Sequence, residues 1–232
     1  MSVGNKLGQR LLLSYCSFTC IYFPGILILL KLNDNLYNVG KYKFIPVLLI
    51  LLFAEVIKLL FPIFHFESAI IPKTDLRISV KTRRSWSRYL KEVFKFLLAA
   101  CFLSVVYYIV IILFGAPVFT HYEETTMLTV TLTTLTFVPT SLHLGVDSAL
   151  SFITGTQSQK GNVLVDAMKT NIIATLSGTW LGTIAIPLDW DRPWQVWPIP
   201  CVIGALFGYM IAHFITLVKT LPVLRLSKKV YR

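Results

Sequence analysis

The chain has 232 residues, of which 55% are hydrophobic and only 14% charged, with a mean hydropathy of +0.69. Soluble domains of this length carry about a quarter charged residues, so too little polar surface remains to cover a water-soluble body. A disordered chain is excluded by the same numbers, and short loops leave no room for a large catalytic domain outside a membrane. The net charge of +11 argues for Lys and Arg held in cytosolic loops rather than for nucleic acid, because no basic motif of a nucleic-acid module accompanies it.

A membrane helix needs about 20 mostly apolar residues to cross ~30 Å of hydrocarbon. Six segments meet that description: 11–30, 44–66, 93–114, 127–144, 172–186 and 199–218. The expected fold is an all-α integral membrane protein, a single polytopic domain over 1–232 with about six transmembrane helices. The first segment follows Lys6 and Arg10. It is too long for a signal peptide's apolar core and lacks a small-residue cleavage site, which makes it a retained helix. The fourth is rich in threonine (Thr129, Thr131, Thr133, Thr134, Thr136); hydroxyls that bond back to the helix's own carbonyls keep such a span viable in lipid. The fifth is short, and four spans in place of six is the alternative count.

Basic residues divide unevenly over this scheme. Seventeen Lys and Arg fall on the side shared by the two termini, four (Lys31, Lys41, Lys43, Arg192) on the other, and Lys58 inside a span. By the positive-inside rule both termini face the cytosol. The loops at 115–126 and 187–198 then face the lumen or exterior. The basic stretch Lys73–Lys95, with Trp86 and Tyr89 interleaved, reads either as a topology anchor or as a surface for anionic lipid.

Three features hold polar or tightly packing residues. The segment Ile186-Pro-Leu-Asp-Trp-Asp-Arg-Pro-Trp-Gln-Val-Trp-Pro198 holds three of the five tryptophans, and Pro187, Pro193 and Pro198 forbid a continuous helix. It reads as a rigid interfacial turn of Trp190, Trp194 and Trp197, or as a polar site of Asp189, Asp191 and Arg192 for a lipid headgroup or partner. A metal-dependent carboxylate pair has a thin basis without a nearby His. On either side lie small residues at a spacing of four: Ala174, Gly178 and Gly182, then Gly204, Gly208 and Ala212. Such stripes let helix backbones approach closely, within a hairpin or against another polypeptide. Glu55 and Lys58, three residues apart inside the second span, share a helix face; they form a structural ion pair or contact a polar substrate or partner helix. Gly115-Ala-Pro117 ends the third span sharply, followed by His121, Glu123, Glu124 and Thr125.

The chain shows no Gly-rich nucleotide loop, no H-E-x-x-H and no G-x-S-x-G. Cys16, Cys20, Cys101 and Cys201 have no metal-ligand spacing. No cofactor or metal is expected.

The run Pro187-Leu-Asp-Trp-Asp-Arg-Pro-Trp-Gln-Val-Trp-Pro198, continuing through Gly204-Ala-Leu-Phe-Gly-Tyr209, resembles the PIG-F family, the phosphatidylinositol-glycan biosynthesis class F proteins. Phe114-Gly-Ala-Pro117 and Glu124-Thr125 match in order and spacing; residues 1 to 90 agree only in hydropathy and size. The resemblance implies a multi-pass protein of the endoplasmic reticulum membrane. It would be the non-catalytic stabilising partner of large ethanolamine phosphate transferases, which modify mannoses of the glycosylphosphatidylinositol (GPI) precursor. Glu55 and Lys58 are secondary candidates beside the matched turn and glycines. A lipid phosphotransferase acting on its own and a lipid or solute transporter remain the rival classes.

Overall fold

The computed structural model describes residues 3–32, 35–70, 83–117, 120–155, 163–188 and 190–221. Among these residues seven α-helices follow one another: α1 (Val3–Leu32), α2 (Ile45–Ile70), α3 (Arg83–Leu113), α4 (Tyr122–Leu144), α5 (Val146–Ile153), α6 (Val163–Thr183) and α7 (Ile199–Thr220). Three short 3-10 turns, Asn35–Asn38, Tyr42–Phe44 and Pro193–Gln195, occupy the connections, and no strand occurs among the described residues. Among the described residues four helices are long and apolar enough to cross a membrane: Leu12–Leu32, Leu90–Leu113, Tyr122–Leu144 and Ile199–Thr220. α2 and α6 are also long, at 26 and 21 residues, and α6 carries Asp166, Lys169 and Asn171 in its first half.

α4 is the axis of the bundle. Of its apolar window 78% is buried, against 22% for α3 and 50% for α7, and α2, α3, α5, α6 and α7 all pack on it. That position explains its threonines. A helix surrounded by protein rather than lipid has no need of a hydrocarbon surface, provided each hydroxyl finds an acceptor. Thr131 donates to the Met127 carbonyl at 2.7 Å, Thr136 to Leu132 at 2.6 Å and Thr140 to Thr136 at 2.7 Å. Two hydroxyls also reach sideways to α3, Thr133 to Ser104 and Thr136 to Tyr107, each at 3.0 Å.

Pro139 lies inside α4 and has no N–H, so the carbonyl of Leu135 one turn earlier loses its helical donor. Asn171 of α6 replaces it, its Nδ2 donating to the Leu135 oxygen at 2.9 Å. The defect in one helix thus becomes the polar pin that holds its neighbour.

The outer surface is apolar. Ile21 on α1, Phe53 on α2, Phe102 on α3 and Phe214 on α7 are each more than half exposed. Such continuous apolar exposure suits a lipid environment and not water.

The helices are longer than the apolar segments that mark them. α1 begins at Val3 rather than residue 11, α3 at Arg83 rather than 93, α4 at Tyr122 rather than 127, and α6 at Val163 rather than 172. Polar residues extend a helix past the hydrocarbon without breaking it, whereas hydropathy registers only the part that lipid touches. α5 is a further difference, unforeseen because eight residues are too few to read as a span. Gly145, at φ +85°, turns the chain back after α4, and α5 lies between α3 and α4. An exposed ion pair between Lys95 and Asp147 at 2.7 Å joins its start to the first part of α3. The stretch Lys73 to Lys81 and the side chains of Trp86 and Tyr89 fall outside the described residues.

Candidate functional site

α6 and α7 form a hairpin whose backbones touch. A Cβ added to Gly178 would strike the Gly204 carbonyl, one added to Gly204 would strike the Gly178 carbonyl, and one on Gly182 would strike that of Pro200. At Gly208 it would meet the Ala174 carbonyl and lie 3.0 Å from the Thr175 Cα. Any side chain larger than hydrogen at these positions must separate the helices. The two small-residue stripes therefore meet each other within this chain, and what faces outward is the opposite side of each helix.

The turn that closes the hairpin is organised by Gln195, a residue that sequence reasoning passed over. Its side chain is 9% exposed. Nε2 donates to the Ala185 carbonyl at 2.9 Å and also to the Leu188 carbonyl, while Oε1 accepts from the Arg192 backbone N–H at 3.1 Å. One amide thus replaces the ladder that three prolines deny to the loop. Its signal was a lone uncharged amide among Trp and Pro, the one side chain in the run able to donate and accept at once. Trp194 and Trp197 pack on the core, whereas Pro187, Trp190, Asp191, Arg192 and Pro193 are exposed, and Trp190 lies edge-on to Trp194 at 5.8 Å. Asp191 has φ +46°, a left-handed conformation that Asp tolerates better than most residues. Asp189 falls outside the described residues.

The same end of the bundle gathers the other matched residues. The Trp197 indole donates to Thr125, which is fully buried, at 3.2 Å. Gly40 lies against Pro198 and Glu124 so closely that a Cβ there would sit 2.5 Å from the proline ring. The backbone N–H of Tyr42 donates to Glu123 at 2.6 Å, and His121 approaches Glu124 at 3.4 Å. Gly115, at φ +98°, allows the sharp exit from α3. Gly115 and Pro117 line one cavity together with Ile186, Pro187 and Trp197.

Glu55 and Lys58 lie elsewhere, deep between α1, α2 and α7. They form an ion pair and are 4% and 3% exposed. Tyr15 donates to the second oxygen of Glu55 at 2.7 Å, Tyr209 donates to the first, and Lys58 donates to Thr19 at 2.9 Å. The ammonium also sits 4.2 Å above the Tyr15 ring. Tyr15 and Tyr209 in turn pack against His213, and Tyr15 against His143. Charge at this depth is tolerated because both ions are paired and their remaining valences filled. Tyr15, Thr19 and Tyr209 were not singled out from the sequence. Tyr15, Thr19 and Tyr22 recur at the spacing of one helix face, the signal that was present.

Among the described residues no three His, Cys, Asp or Glu side chains are grouped to hold a metal ion. What this arrangement can do is hold shape: a backbone-packed hairpin, an amide-clamped turn and a charged lock between three helices. A family model described as GPI biosynthesis protein family Pig-F matches residues 27–217.

The chain belongs to the Pig-F family.

A Mus musculus protein named GPI ethanolamine phosphate transferase, stabilizing subunit, is 38% identical over 113 residues, 49% of this chain and 50% of its own length. A Homo sapiens protein of the same name is 36% identical over 115 residues, covering 50% and 51%. The Glycosylphosphatidylinositol anchor biosynthesis protein 11 of Candida albicans is 35% identical over 118 residues, covering 50% and 44%. The chain thus spans about half the length of the curated relatives it matches. No solved structure matches it. The Pig-F match runs from the first helix to the last and so includes Glu55 and Lys58 as well as the hairpin and its turn.

Proposed function

We propose that this chain is the non-catalytic stabilising subunit of ethanolamine phosphate transferase complexes in the endoplasmic reticulum membrane, which modify mannoses of the GPI precursor. The observation that carries the reading is the Pig-F match over residues 27–217, whose mouse and human relatives are named as the stabilizing subunit. The site's chemistry supports it: every polar cluster described above is spent on holding helices and turns together. The partner is the large catalytic transferase polypeptide, within a shell of membrane lipids.

In this reading all six long helices cross the membrane as a single polytopic domain, and both termini face the cytosol. The turns at 115–126 and 187–198 lie on the lumenal side. The 17 to 4 distribution of Lys and Arg supports that orientation. A thiol probe on Trp190→Cys should then react only from the lumen; reaction from the cytosol would invert the topology. The docking element is the α6–α7 hairpin, which presents its outward faces and the exposed Trp190, Asp191 and Arg192 to the transferase. Close backbone packing holds that surface rigid, and preorganised surfaces bind with less ordering cost.

The experiment is purification of the tagged full chain in mild detergent with identification of its companion. A large transferase polypeptide should co-purify, and its abundance should fall in cells lacking this chain. Normal transferase abundance in such cells would contradict the reading.

A further inference from the structure

A cavity of about 710 Å³ lies between α3 and α6, with α4 as its back wall. It is lined mostly by hydrocarbon. The hydroxyls that border it are already engaged: Tyr107 with Thr136, Thr179 with the Thr175 carbonyl, Thr183 with the Trp180 carbonyl. Its back wall is buried, with Leu128 at 1% and Leu132 at 3% exposed. At its edge Val110, Phe114 and Trp180 are 39%, 79% and 59% exposed. The mouth therefore opens sideways and is continuous with the lipid-facing belt of the bundle.

The cavity is also blind. Gly115–Pro117 and Ile186–Pro187 roof one end, and Ile153 at the tip of α5 lines the other, beside Leu103 and Leu132. From Phe114 to Leu103 α3 rises about 16 Å at ~1.5 Å per residue, half of the ~30 Å hydrocarbon layer. A crossing helix of a partner needs the whole thickness and cannot pass α5. An acyl chain from the leaflet on the side of the 115–117 turn needs half of it.

We propose that this cavity is a binding site for one acyl chain of a bilayer phospholipid. The chain enters sideways between Val110 and Trp180, with its ester end under the roof and its terminal methyl against Ile153. α5 is what makes the site: by folding back to pack on α3 and α4, it closes what would otherwise be an open groove. Burial of chain methylenes in a dry apolar slot supplies the binding energy. With the lining hydroxyls already paired, headgroup identity contributes little.

The test uses the full-length native chain, free of any companion, in nanodiscs of phosphatidylcholine. The probes are phosphatidylcholines with a photoactivatable diazirine either near the carboxyl or near the terminal methyl of one chain. Terminal probes should label the peptides holding Leu103 and Leu132, and proximal probes the peptide holding Gly115–Pro117. Labels without that depth order, or spread evenly over the lipid-facing belt, would overturn the assignment. Thr179→Trp and Val106→Phe, which fill the cavity, should each lower the adducts about tenfold. Phe102→Trp, on the exposed face of α3, should label as the native chain does. Undiminished labelling in either folded filling variant would also overturn it, and the depth order in the native chain decides the matter should both fail to fold. The purified transferase complex should keep the adducts, and their disappearance there would mean that protein fills the cavity instead. The free-chain result does not depend on whether any companion exists, so the two proposals fail separately.

Discussion

Replacing Lys58 by methionine removes the positive charge from the middle of the bundle and leaves Glu55 behind. Glu55 keeps the hydroxyls of Tyr15 and Tyr209 as donors, but a carboxylate 4% exposed then has no counter-ion. Breaking a buried pair in this way costs about 3–5 kcal/mol. For a chain of this size ~1 kcal/mol corresponds to about 2–4 °C, so the melting temperature should fall by about 6–20 °C. Adding Glu55→Gln removes the stranded charge; its Oε1 accepts from one tyrosine and its Nε2 donates to the hydroxyl oxygen of the other. The double variant should therefore recover more than half of the loss, giving a coupling energy of at least ~2 kcal/mol in the double-mutant cycle. The chain provides its own probe. Cys16 is 1% exposed and Cys201 is buried, while Cys20 is partly exposed and Cys101 exposed, so a thiol-reactive dye reports unfolding once both Cys20 and Cys101 are replaced by serine. A Lys58→Met melt within 2 °C of the parent, or additive effects in the double variant, would refute the account of the pair as a stabilising lock (~0.5–1 kcal/mol at this size).

Three further outcomes are expected. Gly208→Leu drives a side chain into Ala174 and Thr175 and overpacks the hairpin by about 1–3 kcal/mol or more; co-purification of the transferase should fall while membrane insertion persists, and unchanged recovery would count against the hairpin as the docking element. Gln195→Leu deletes three hydrogen bonds, each worth ~1 kcal/mol net, so backbone amides in 184–198 should exchange with deuterium at least tenfold faster; an unaltered rate would show that the prolines alone hold the turn. Replacing Trp194 and Asp191 together by alanine should lower transferase abundance, whereas normal abundance with lost activity would point to a lipid-handling or catalytic role.

Much of this was legible in the sequence because a bilayer imposes a length and a hydropathy on whatever crosses it. All six apolar segments fall largely within long helices. The glycine stripes at 178/182 and 204/208 were visible because spacing alone puts such residues on one face. The i,i+3 spacing likewise put Glu55 and Lys58 together. What was not legible depends on how elements pack. Tyr209 completes the Glu55–Lys58 lock from 151 residues further along the chain than Lys58, a contact set by the register of α1 and α2 against α7. Asn171 is unremarkable until Pro139 leaves a carbonyl without its donor. α5 escaped notice because an apolar run of eight residues satisfies no span criterion, yet it shapes the cavity between α3 and α6. The low hydropathy of α4 reads as weakness from sequence and as centrality in the fold, since a helix surrounded mostly by protein has little need of a hydrocarbon surface.

The most direct test of a supporting rather than a chemical role is a transfer assay. It uses the tagged chain stripped of every companion, set beside the intact complex, with phosphatidylethanolamine and a mannosylated GPI precursor. The complex should transfer ethanolamine phosphate and the lone chain none, with activity returning when the large subunit is added back. Turnover by the companion-free chain would make it an enzyme and contradict the account.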